Sequence, residues 1–188
     1  MLQLCIIRDL PVLTTSLRLI VLSAALTLGG CAATVTKNGP TPPLVGASPG
    51  AKANLHVQVQ AAPHMQYDSG WGNFLADWRE GMAVAAGRTG ARLTWPEKDS
   101  AGATTPGVLV TVTVQSYRYV TREQRMLKGM FADDAFVNVL IEYRELPDRK
   151  LLGSRSFSTS SHAIEGLLTS TTHDQVLALS DDIIAELR

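Results

Sequence analysis

From Asn54 onward, apolar and polar residues alternate along the chain with the period of two that marks strands buried on one face. Leu55, Val57 and Val59 alternate with His56, Gln58 and Gln60. The clearest strand sets Val108, Val110, Val112 and Val114 against Leu109, Thr111, Thr113 and Gln115. Beyond it the apolar parity passes to Tyr117 and Tyr119, so a bulge is expected near Gln115-Ser116. Ala135, Val137, Val139, Ile141 and Tyr143 share one face of a further strand. Pro147-Asp148-Arg149 then turns the chain into a last strand over 151–159. A short strand around Leu93 and Trp95 stops at Pro96.

Two stretches switch to the helical period. Asp68 or Ser69 can cap a helix whose apolar stripe runs through Trp71, Phe74, Leu75, Trp78 and Met82. Ala85 and Ala86 extend the stripe, and Gly87 or Gly90 ends it. Near the carboxyl end, Thr172 and Gln175 have the spacing of a capping box, and Val176, Leu179, Ile183 and Leu187 form a second stripe. The order β-α-β-β-β-β-α predicts an α+β fold. The expected form is a two-layer sandwich, a mainly antiparallel sheet of about five strands with both helices on one face.

The amino end follows neither period. Arg18 precedes an apolar run over 19–28, interrupted only by Ser23 and Thr27, which gives way to Gly29-Gly30-Cys31. A cation, a run of roughly ten apolar residues and small residues after it make a secretory signal. As a helix the run would span about 15 Å, half of a hydrocarbon core, so it is too short to cross one. Leu28-Gly29-Gly30-Cys31 resembles the bacterial lipobox. That resemblance implies cleavage before Cys31 and acylation of its thiol, the nucleophile for lipid transfer. Several acyl chains on one cysteine would hold the protein firmly to a membrane. The residue after the cysteine is Ala32, not Asp, which by resemblance to enterobacterial sorting favours the outer membrane, facing the periplasm. Residues 1–30 thus read as a signal peptide, with an alternative start near Val12 or Leu13. Residues 31–53, with Pro40, Pro42, Pro43 and Pro49 among small residues, read as a flexible tether. Residues 54–188 remain as one domain.

Two segments carry a family resemblance: SYRYVTREQRMLKGMFADDAFVNVLIEYRELPDRKLLGSRSFS, and after a gap TTHDQVLALSDDIIAELR. A Tyr-Arg after a valine strand, an Arg…Gly hairpin, a second hairpin turn and a Thr-x-x-Gln helix start resemble the DUF4410 family of proteobacterial lipoproteins. The likeness spans roughly Asn54 to Arg188 and implies an envelope lipoprotein without implying an activity.

Composition narrows the chemistry. Seventeen Lys and Arg balance seventeen Asp and Glu, which argues against a nucleic-acid partner. The only cysteines are Cys5, in the leader, and Cys31, so the domain has no thiol and no Cys-ligated metal site. His56, His64, His162 and His173 show no metal-ligand spacing and read as surface or loop residues. Ser154 to Ser161 and Ser170 lie in no nucleophile motif, and Asp133-Asp134 and Asp181-Asp182 have no calcium-loop spacing. The expectation is a protein with no catalytic residue, metal or cofactor.

The connection between the third and fourth strands stands out. Arg118, Arg122, Arg125 and Lys128 are interleaved with Met126, Leu127, Met130 and Phe131. Apolar residues at a tip, ringed by cations, suit contact with a partner or a lipid headgroup layer. Arg122, Arg125, Met126, Leu127, Lys128, Met130 and Phe131 are therefore the candidate contact to another envelope component; the other reading of the same residues is a basic solvated loop whose apolar side chains fold back on the sheet. Gly166-Leu167-Leu168 is a weaker candidate of the same kind. The alternative is a small-ligand or glycan-binding module built on the loops around Trp95 and 97–107.

Overall fold

The computed structural model describes residues 33–39, 43–65, 70–96, 105–128, 134–160 and 171–188. All belong to Ala32–Arg188, one of two units into which the chain divides, the other being Met1–Cys31. The leader, the lipobox and the expected caps Asp68 and Ser69 lie outside the described residues. No described helix is long and apolar enough to cross a membrane.

The fold is α+β. Six described strands, β1 (Thr34–Asn38), β2 (Asn54–Ala61), β3 (Arg92–Thr94), β4 (Gly107–Arg118), β5 (Phe136–Leu146) and β6 (Lys150–Ser160), form one sheet. Their order across it is β1-β6-β5-β4-β2-β3. Four helices accompany them: α1 (Pro49–Lys52), α2 (Trp71–Thr89), α3 (Arg122–Lys128) and α4 (Thr172–Ala185). The expected β-α-β-β-β-β-α order is therefore corrected by β1 and α1 before it and by α3 within it.

The sheet is mixed: three of its five described pairings are antiparallel, as expected, and two are parallel. β4, β5, β6 and β1 pair antiparallel, whereas β2 pairs parallel with both β3 and β4. The cause is α2, which carries the chain from the end of β2 back to its start, as a parallel neighbour requires.

The expected bulge is present: pairing of β4 with β5 shifts register between Val114 and Ser116. The extra residue keeps Tyr117 on the core side, where its ring stacks on Phe74 at 4.3 Å and 8°. Val108, Val110, Val112, Val114, Val137, Val139, Ile141, Tyr143 and Phe157 form one core with Phe74, Trp78 and Met82 of α2 and Val176, Leu179 and Ile183 of α4. Trp78 and Phe74 are fully buried, and truncating either to Ala would cost about 3–5 kcal/mol. The two helices cross closely at Gly81, where a Cβ would meet Ser180 Oγ at 2.6 Å. Gly90, at φ 72°, ends α2 as the left-handed cap.

The stretch read as a tether is partly structured. Thr34 to Asn38 pair with Ser160 to Ser156 as an edge strand. Past Gly39, Leu44 lies against Gly153, Val45 N–H donates to the Leu152 carbonyl, and Ser48 N–H donates to Glu145 at 3.0 Å. The chain thus straps the end of the β5–β6 hairpin before α1 leads into β2. Its polar, proline-rich sequence buries little by itself, and the edge of β6 supplies the hydrogen bonds that order it.

The register defines two ends of the sheet. Thr34 is opposite Ser160, Ser160 opposite Phe136, and Phe136 opposite Arg118, so all four stand at one end. Gly107, Leu146 and Lys150 stand at the other, where the strap crosses.

Candidate functional site

The segment between β4 and β5, read from sequence as a loop, contains α3 instead. Thr121 caps it: Gln124 N–H donates to Thr121 Oγ1, and Thr121 N–H donates back to Gln124 Oε1 at 3.0 Å. Both roots of the segment are pinned to the first turn of α4. Val120 N–H donates to Thr172 Oγ1 at 2.8 Å, and the same hydroxyl donates to the Arg118 carbonyl at 3.1 Å. Gln175 Nε2 donates to the Ala135 carbonyl at 2.9 Å.

This corrects the expected capping box. The residue that caps α4 is Thr171, paired reciprocally with Asp174, one position before the expected Thr172 and Gln175. Thr172 and Gln175 are freed to hold the roots of the α3 segment, a role with no local signal in the sequence.

On α3, Met126 is 74% exposed and Leu127 is 87% exposed, the two highest values among large apolar residues described. Arg122 is exposed as well. Arg125 and Lys128 belong to the same helix, though their side chains lie outside the described residues, as do Met130, Phe131 and Gly166 to Leu168. Arg118 is also exposed, its guanidinium 5.4 Å from the centre of the Phe136 ring. The described part of the expected contact is therefore one short helix with an uncovered apolar pair.

The histidines divide. His64 is exposed and His162 lies outside the described residues. His56 is buried, contrary to the surface reading: its ring packs against Gly107, where a Cβ would meet it at 2.8 Å. Burial lowers its pKa, and Nε2 has no hydrogen-bond partner among the described residues. His173 Nδ1 lies 3.0 Å from Asp77, whose other oxygen accepts from Tyr119 at 3.0 Å. Burial first, then the Asp77 carboxylate, push the Tyr119 hydroxyl up to about 12. This trio ties α2, α4 and the chain after β4 together, and no sequence spacing announced it.

A second network closes α4. Arg155, nearly buried, donates from Nε to Glu186 at 2.7 Å, and Lys37 of β1 donates to the other carboxylate oxygen. Burial works against the Glu186 anion, but the hydrogen bonds from Lys37 and Arg155 outweigh it and hold its pKa below the usual value.

Among the described residues no three His, Cys, Asp or Glu side chains gather as a metal site. A shallow groove of about 300 Å³ lies among Pro49, Lys52, Leu55, Thr89, Ile184 and Leu187. Trp95 does not line it; that ring packs against the core. Residues 97–104 lie outside the described residues.

No family model matches the chain, and no curated protein does. Among solved structures, the PelC dodecamer from Paraburkholderia phytofirmans is similar with a TM-score of 0.50 and 10% identity, covering 82% of this chain and 96% of that one. A DUF330 protein from Xanthomonas campestris is similar at a TM-score of 0.39 and 12% identity, over 76% of this chain and 89% of that one. At such identities the PelC likeness speaks for the shared α+β fold alone.

Proposed function

We propose that this chain is a non-enzymatic, membrane-anchored envelope lipoprotein that binds another envelope component as an assembly or accessory factor. In this reading Leu28, Gly29 and Gly30 lead the signal peptidase to Cys31, and the acylated Cys31 holds the protein to the outer membrane, facing the periplasm. The domain is then a two-layer sandwich of the DUF4410 kind, with α2 and α4 as one layer. The observation that carries the binding role is the adjacent, uncovered pair Met126 and Leu127 on a helix that also bears Arg122, Arg125 and Lys128. PelC is a dodecamer, which makes a second copy of this chain one component to test for.

Labelled palmitate should mark the wild-type protein and fail to mark Cys31→Ala. In-cell crosslinking should recover a component through the wild type that the double variant Leu127→Glu, Phe131→Glu loses at unchanged thermal stability. Equal recovery from both would sink the binding role, and unlabelled wild type would sink the anchor. The groove beside Lys52 supports a second reading as a small-ligand or glycan module, which calorimetric titration against glycan fragments would test.

A further inference from the structure

The register of β1 decides which end of the domain is nearest the anchor. Thr34 is the first residue of β1 and is level with Ser160, Phe136 and Arg118. Only Ala32 and Ala33 separate it from Cys31, three residue steps that can reach no farther than about 11 Å. Across the sheet, β1 and β4 are three strand spacings apart, about 14 Å. The α3 segment leaves from Arg118 and returns at Ala135, both at this same end. An acyl anchor on Cys31 therefore draws the Arg118 end toward the bilayer, with no tether long enough to let it float away.

What that end presents suits a lipid surface. From Arg118 to Lys128 the chain holds four cations, Arg118, Arg122, Arg125 and Lys128, against one acid, Glu123. Asp133 and Asp134 follow only where the chain returns to β5. Met126 and Leu127 stand uncovered on the same helix. Apolar side chains that enter a headgroup layer while neighbouring cations meet phosphates are the physics of interfacial binding. The exposed apolar residues near the strap, Val45 and Leu151, are covered about halfway and lie at the other end.

We propose that α3 rests on the membrane that holds the anchor, with Met126 and Leu127 in the headgroup layer and the cations of α3 against anionic lipid. This inference rests on the acylation of Cys31 proposed above and names the envelope component that α3 meets.

The folded body has no thiol, so Leu127→Cys can carry a single fluorescent label on the full, acylated protein. Leu151→Cys carries the control at the opposite end. Both sites are exposed enough to label without disturbing the fold. In vesicles of phosphatidylethanolamine and phosphatidylglycerol bearing brominated acyl chains, quenching at 127 should exceed that at 151 at least fivefold. Replacing Arg122, Arg125 and Lys128 with Gln should reduce it at least threefold. Equal quenching at the two sites overturns the proposal. So does a label at 127 that is shielded only in whole envelopes, which would assign α3 to a protein partner. Mass spectrometry of Cys31 separates the failures: an acylated protein with unquenched 127 refutes the docking alone, and an unacylated one refutes the anchor and the docking with it.

Discussion

The two ends of the sheet use their polar residues in opposite ways. At the Arg118 end, Thr172 and Gln175 spend their hydrogen bonds on the backbone of a projecting segment, and the apolar residues of α3 are left uncovered. At the Gly107 end the chain folds back on itself, the strap closing the hairpin, and from the middle of β6 Arg155 joins Glu186 and Lys37 to tie β6, α4 and β1 together. One end holds out a short helix whose apolar pair is uncovered, and the other is covered by the strap. Segments with few buried apolar contacts open at lower free energy than the core does.

That contrast is sharpened by a break away from the open end, where the largest loss is expected. Glu186→Ala strands the nearly buried Arg155 and should cost about 3 kcal/mol in urea unfolding. Because the folded pKa of Glu186 lies below its unfolded value, its contribution is full above the ordinary carboxylate range and is lost as pH falls through the folded pKa. Glu186→Gln should therefore flatten the acid side of the stability profile, and an unchanged profile would remove this network from the account.

At the open end the effects should be smaller. Thr172→Val leaves Val120 N–H without its acceptor and should cost about 2 kcal/mol. Proteolysis between Val120 and Ala135 should quicken in that variant more than in Glu186→Ala; the reverse ranking would mean that Thr172 does not root the segment.

Tyr119→Phe removes one bond to Asp77 and should cost about 1 kcal/mol at neutral pH. The folded pKa of Tyr119, about 12, lies above the ordinary value near 10, so the wild type should lose stability as pH rises between the two. The variant should lack that alkaline loss. The buried Tyr143, whose pKa is also raised by burial, keeps its own alkaline loss in both proteins. Smallest of all, Leu127→Glu should change stability by less than about 0.5 kcal/mol, since the side chain is 87% exposed. A larger loss in thermal melts would mean that α3 packs on the domain.

Much of the core was legible because its signals are local. The valine alternation of β4, the bulge before Tyr117, the Trp71–Met82 stripe and the turn at Pro147 all lie in stretches whose neighbours along the chain are also their context. The misreadings share the opposite property. Arg122–Lys128 reads as a loop because seven residues of mixed character carry little periodicity, although Thr121 and Gln124 cap it as a helix. His56 looked exposed because its strand parity pointed outward, while Gly107 on the neighbouring strand closes over it.

The sequence by itself determined the buried faces of β4 and β5 and the stripes of α2 and α4, since side-chain period acts within a few residues. Only the tertiary structure decided that β2 runs parallel to β4, that Thr34 to Asn38 join the sheet, and that Thr172 serves a distant backbone instead of its own helix. Each of those depends on hydrogen bonds to partners far along the chain, whose donors and acceptors are the same in every residue and so leave no mark in the amino-acid pattern.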